Sequence, residues 1–125
     1  MLQVNSNQSL NVVDLVHTFS SLPIAIEVQN ETEVDYLLSE LSPETPWYDR
    51  QIAARKLGYT RSPEALPALL AALPSDPFWM VRCAIIQALE MIGDPEAIPT
   101  LRKVSESDGF QAVRTYAKQT IDRLS

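Results

Sequence analysis

Residues 79–110 read WMVRCAIIQALEMIGDPEAIPTLRKVSESDGF, and residues 47–78 before them read WYDRQIAARKLGYTRSPEALPALLAALPSDPF. Laid one over the other, they match at Trp47, Arg50, Leu57, Pro63-Glu64-Ala65, Pro67, Leu69, Asp76 and Phe78. These recur 32 residues later as Trp79, Arg82, Leu89, Pro95-Glu96-Ala97, Pro99, Leu101, Asp108 and Phe110, and Arg114 opens a third copy. Self-similarity at a fixed period of this size marks stacked repeats, each too small to bury its apolar face alone.

The second copy shows what one unit is. Val81, Ala84, Ile85, Ala88, Leu89 and Ile92 recur at helical spacing along one face over three turns. Gly93 follows as a helix stop, and Asp94-Pro95-Glu96 supplies an N-cap, a proline at the first helical position and an acid in the first turn. A second helix over roughly 95–106 turns Ile98, Leu101 and Val104 inward. The unit is therefore an antiparallel helix pair, A then B.

In the first copy Ile52, Ala53 and Leu57 mark helix A, Ser62-Pro63-Glu64 caps helix B, and Leu66, Leu69, Leu70 and Leu73 form its stripe. Pro67 and Pro99 each stand one turn into helix B, where an interior proline predicts a bend. The third copy keeps only helix A, with Val113, Tyr116, Ala117, Thr120, Ile121 and Leu124 on its stripe, and is expected to cap the stack. One period before the leucine stripe stand Val34, Leu37, Leu38 and Leu41, the B helix of an earlier, partly decayed unit over 32–42. Its A helix is poorly kept. Thr18 holds the arginine position and Pro23 interrupts, leaving a helix over about 9–20 after Ser9 and an undecided stretch at 24–28. The expected fold is all-α, a short α-solenoid of antiparallel helix pairs. Residues 1–46 form an acidic, diverged N-terminal cap, and residues 47–125 hold the repeats and the C-terminal capping helix.

The run from Val81 to Asp94, with Val-Arg, small apolar residues, Ala-Leu and an aliphatic-Gly-Asp ending, resembles helix A of a HEAT-like repeat. More narrowly, it is similar to the HEAT-like repeat of the phycobilisome lyases, followed by a matching B helix at Ala97-Ile98-Pro99-Thr100-Leu101. The resemblance spans about 32–125 and is strongest over 47–105. It implies a role for one spacing. Glu44, Asp76 and Asp108 each precede an arginine, Arg50, Arg82 and Arg114, by six residues. In HEAT-like repeats such groups form a structural ladder of charge-assisted hydrogen bonds between units, which suits a planar guanidinium.

Charge narrows the partner. The chain has 125 residues and a net charge of −6. Residues 1–46 hold seven acids and no Lys or Arg, whereas residues 47–125 hold nine acids against ten bases. Without a clustered basic face the chain is a poor match for nucleic acid or anionic membranes. No apolar run approaches the ~18 residues of a membrane span, and no signal peptide is visible. With a single cysteine, Cys83, the expectation is a reduced, cytoplasmic protein whose partner is another protein.

Catalytic chemistry finds little to stand on. His17 is the single histidine, Cys83 has no companion at metal-ligand spacing, and neither a phosphate loop nor a Ser-His-Asp grouping can be assembled. The expectation is no catalytic residue, no metal and no cofactor. Cys83 aligns with Gln51 and Thr115, on the helix flank, and reads as an inert, partly exposed thiol.

Two sets of residues are candidates for partner contact. Trp47-Tyr48, Phe78-Trp79 and Phe110 lie at the starts of successive A helices and form a row along one edge of the stack. That row either shields the arginine ladder or, together with Tyr59, offers exposed anchors to a partner. Arg102 and Ser105 stand where the first copy has Leu70 and Leu73, and Arg102 with Lys103 makes a small basic spot. Asp49 and Lys56, where the second copy has Val81 and Ala88, put charge on the stripe of the first A helix. Either an acid of the N-terminal segment pairs with Lys56 while Asp49 stays near water, or that face is open and is a binding surface.

The function expected from all this is a small non-enzymatic adaptor or scaffold for protein–protein interaction. The resemblance implies an association with phycobilisomes, through a phycobiliprotein or pigment-protein assembly. A phycobilin lyase subunit, or a phycobiliprotein chaperone or turnover factor, is the alternative. A short solenoid with an apolar end would also favour a homodimer.

Overall fold

The computed structural model describes residues 31–125. The helix expected over 9–20, with His17 and Thr18, and the stretch 24–28 lie outside them. The described residues form helices α1 (Glu31–Ser39), α2 (Trp47–Thr60), α3 (Leu66–Ser75), α4 (Trp79–Ile92), α5 (Ile98–Ser107) and α6 (Gln111–Leu124). The A helices are α2, α4 and α6, and the B helices are α1, α3 and α5. Among the described residues there is no strand, so the chain is an all-α, HEAT-like helical solenoid.

Helix α4 is the centre of the stack. It packs on α2 and α3 on one side and on α6 on the other, while α1 lies against α2 and α5 against α6. Each B helix thus leans on the A helix of the following unit. Leu57, Leu69, Leu73, Val81, Ile85, Ile86, Leu89, Leu101 and Val113 are buried completely. At α6 the buried side is Val113, Ala117 and Thr120, whereas Thr115, Lys118, Gln119 and Asp122 face out. Glu90 of α4 reaches across to Thr120 Oγ1 at 3.4 Å and Arg123 Nη1 at 3.2 Å.

Helices α2 and α4 come close because Gly58 has no side chain. A Cβ at Gly58 would lie 2.7 Å from the Cα of Ala88 and 3.1 Å from the sulfur of Met91. Gly58→Ala should therefore push α4 away and cost about 1–3 kcal/mol by overpacking. A lower urea midpoint with an unchanged slope is the expected readout.

Two expectations are revised, and a third point is new. The first is the bend at Pro67 and Pro99. Pro63–Ala65 and Pro95–Ala97 form 3-10 turns, and the α-helices begin only at Leu66 and Ile98. Each proline then stands in the first α-turn, where its missing N–H has no helical partner to lose. A change of helix type replaces the bend. The caps before these turns are made by Ser62 and Asp94, whose side chains accept the N–H groups of Glu64 and Glu96 at 3.3 and 2.9 Å.

The second is Ile52, which is 46% exposed rather than part of the core. Its counterpart Ala84 shares a cleft with Gln51 and Arg55 of α2. Among the described residues, no helix stands to Ile52 as α2 stands to Ala84. Asp49 and Lys56, on the same side of α2, are half-buried.

The third is a stop signal that the sequence hides. Helix α4 ends at Gly93 with φ 77°, and α2 ends in the same left-handed conformation at Arg61, with φ 53°. A side chain there costs about 1–2 kcal/mol, offset in part by the greater freedom of glycine in the unfolded chain. Arg61→Gly should stabilise the protein by up to about 1 kcal/mol. A rise in melting temperature would confirm it, and Gly93→Arg should lower it.

Candidate functional site

The repeated charges form interlocking clasps between units. Arg50 donates from Nε and Nη2 to the two carboxylate oxygens of Asp76, at 2.8 and 3.1 Å. Arg82 does the same to Asp108, at 2.7 and 2.9 Å. The third donor, Nη1, goes to a main-chain carbonyl in the turn before its own helix: Thr45 for Arg50, Asp76 for Arg82, Asp108 for Arg114. The carboxylate thus comes from 26 residues ahead in the sequence, whereas the six-residue spacing seen in the sequence delivers a carbonyl to Arg82 and Arg114, and Arg50 takes the one five residues back. Each aspartate also accepts the N–H two residues on, at Phe78 or Phe110, which fixes the turn. The pairs are nearly dry, with side-chain exposures of 5–10%. Burial alone would push the Asp108 carboxyl up, but Arg82, the Phe110 N–H and the charge of Arg114 together hold it below its ordinary value.

The two ends of the ladder differ from the middle. Glu44 joins no arginine: its carboxylate accepts from the Ser42 hydroxyl. The position 26 residues before it is Thr18, which has no guanidinium to offer. Arg114 makes the carbonyl contact to Asp108 but has no carboxylate on Nε or Nη2 among the described residues.

The aromatic edge follows the same register as the clasps. Trp47 stacks on Phe78 with centroids 5.2 Å apart and planes 10° from parallel, and Trp79 stacks on Phe110 at 5.5 Å and 13°. Tyr48 meets Trp47 edge-on, and the Arg82 guanidinium lies over the Phe110 ring. Each stack therefore spans a unit boundary beside the arginine pair. The outer surfaces are open, and Tyr48, Phe78, Trp79 and Phe110 remain 37–53% exposed. Shielding and exposure coexist on the same rings. Tyr59 does not join the row. It lies twelve residues along α2 from Trp47, about 18 Å by helical rise.

The B helices carry two adjacent grooves that the sequence pattern did not disclose. Between α1 and α3 is a groove of about 360 Å³, walled mainly by Leu38, Leu41, Ala68, Ala71 and Ala72. Between α3 and α5 is one of about 350 Å³, with Leu70 and Pro74 on one wall and Thr100, Lys103 and Val104 on the other. Lys103 thus lines a groove, while Arg102 beside it is exposed on α5. Only side-chain volumes at neighbouring units distinguish a groove from a filled seam, and a repeat alignment does not report them.

On the A side, Cys83 lies half-buried in a cleft with Gln51, Arg55, Trp79 and Tyr116. Burial raises its thiol pKa, and nearby Arg82 counters this only in part. The thiol is therefore protonated at neutral pH and a poor nucleophile. Among the described residues, no three His, Cys, Asp or Glu side chains converge on a metal position. No described helix is long and apolar enough to cross a membrane.

A family model for HEAT repeats matches residues 34–122. No curated protein and no solved structure matches the chain.

Proposed function

The chain belongs to the HEAT-repeat family, and from that premise we propose that it is a non-enzymatic scaffold gripping another protein across its B helices. HEAT repeats are in general protein-interaction scaffolds. The observation that supports the reading here is the pair of grooves on either side of α3, one apolar and one edged by Lys103. A partner segment crossing both would set apolar side chains against Leu38 and Leu41, and an acid near Lys103 and Arg102. The open rings of Tyr48, Phe78, Trp79 and Phe110 offer a further contact along the edge.

The similarity to the phycobilisome-lyase repeat, strongest over residues 47–105, supports a setting at pigment-protein assemblies. The partner in this reading is a phycobiliprotein subunit in the cytoplasm, with residues 1–46 as an acidic cap to the repeats. Calorimetric titration of isolated phycobiliprotein subunits into the purified protein tests it. Binding is expected, and Arg102→Glu with Lys103→Glu should weaken it about tenfold or more without moving the melting temperature. Absence of binding to any subunit would discard the pigment setting. Binding indifferent to those two changes and to Ala71→Glu on the exposed ridge of α3 would discard the B face.

A further inference from the structure

Arg50 and Arg82 show what an arginine at the start of an A helix does when its contacts are complete. Nη1 is anchored on a carbonyl of the preceding turn, and Nε with Nη2 grips the carboxylate of an aspartate that opens the next turn. Arg114 stands at the same place in α6, half-buried and anchored through Nη1 on the Asp108 carbonyl. Its Nε and Nη2 donors have no acceptor among the described residues. The Asp108 carboxylate is turned to Arg82 and the Phe110 N–H, and no hydrogen bond joins it to Arg114.

We propose that Arg114 is an open carboxylate-docking site, closed by an aspartate-led turn of another protein as Asp76 and Asp108 close the two clasps before it. The fork is already oriented by its carbonyl anchor, so little side-chain freedom is lost on binding. Lys118, one turn further along α6 and exposed, adds positive charge on that side. One part of the clasp is missing. Gln111 occupies the position of Trp47 and Trp79, so the site has no aromatic shelf for a phenylalanine following the acid. Arg114 should therefore read the acid and ignore the ring. Arg114 does not line the B-helix grooves, although its anchor Asp108 borders one of them, and failure of the site would leave the scaffold reading untouched.

The probe is the blocked tetrapeptide acetyl-Ser-Asp-Gly-Phe-amide, the sequence of residues 107–110, followed through the Arg114 Nε–H resonance. Saturable binding at about millimolar concentration is expected, moving Arg114 and leaving the paired Arg50 and Arg82 unmoved. Aspartate to asparagine in the peptide should abolish it. Arg114→Lys keeps the charge but loses the fork, and should weaken binding about fivefold or more. Gln111→Trp restores the shelf and should tighten it about two- to tenfold, a gain that disappears when the peptide phenylalanine becomes alanine. Melting curves of both variants report whether the fold is kept.

An Arg114 resonance that stays still at about 10 mM peptide, or moves equally for the asparagine peptide, would overturn the proposal. So would sedimentation showing self-association that is lost in Glu44→Gln, since the site would then be closed by a second copy.

Discussion

Arg82→Ala is expected to destabilise the protein by about 3–5 kcal/mol, a large share of the 5–15 kcal/mol that holds a typical domain together. The change leaves the Asp108 carboxylate buried without its cation and strips the Asp76 carbonyl of its donor. Uncompensated buried groups, rather than the lost attraction itself, account for most of the cost. Arg82→Lys should recover only part, because an ammonium cannot bind both carboxylate oxygens while holding the carbonyl. Urea unfolding measures both.

The same pair sets an acid sensitivity. Folding lowers the Asp108 pKa, so the unfolded chain takes up a proton more readily than the folded one. The stabilisation is complete above the unfolded value of about 3.9 and is lost as pH falls through the lower folded value. Melting temperature should drop with acidification in that window, and the drop should be shallower in Arg82→Ala.

Leu89→Ala is the second large effect, at about 3–5 kcal/mol. Leu89 is fully buried on α4, and α4 is the helix braced by α2, α3 and α6 together. A cavity closes where neighbours can move into it, and a helix held on several sides gives them little room. In a stack whose units contact only their neighbours, α4 also couples the two ends. Hydrogen exchange should therefore quicken across α2 and α6 alike, whereas Val113→Ala in α6 should perturb α4 to α6 only.

The fold could be read in the sequence because the repeat aligns apolar positions twice over, and helical spacing in the second copy needs no tertiary help. The clasps were legible as residue types and not as pairs. A six-residue spacing brings Asp76 near Arg82 along the chain, yet the guanidinium points onward to Asp108, and direction across a unit boundary is not written in local spacing. Local spacing puts Glu44 on the ladder for the same reason. Ile52 has the spacing of a stripe residue; what covers a stripe depends on the neighbouring helix. The left-handed stop at Arg61 is hidden because arginine carries none of the signal that glycine does. Tyr59 matches the aromatic row by residue type alone, and the length of α2 separates them. The grooves depend on how far α1, α3 and α5 stand apart, which no single unit specifies.

The clasps have one more consequence, for how the chain can be divided. Covalent continuity runs from each A helix to its own B helix, whereas the B helix, the arginine pair and the tryptophan stack all tie that unit to the following one. Backbone and contacts are out of phase by half a unit, like overlapping tiles. No cut between helices frees a whole module: a break at the turn after α4 would leave the Arg82–Asp108 pair, the Trp79–Phe110 stack and the Glu90–Arg123 bridge joining the two pieces. Transplanting one unit would accordingly mean carrying the aspartate and phenylalanine of the next, and the 32-residue period describes how the chain is written rather than where it can be separated.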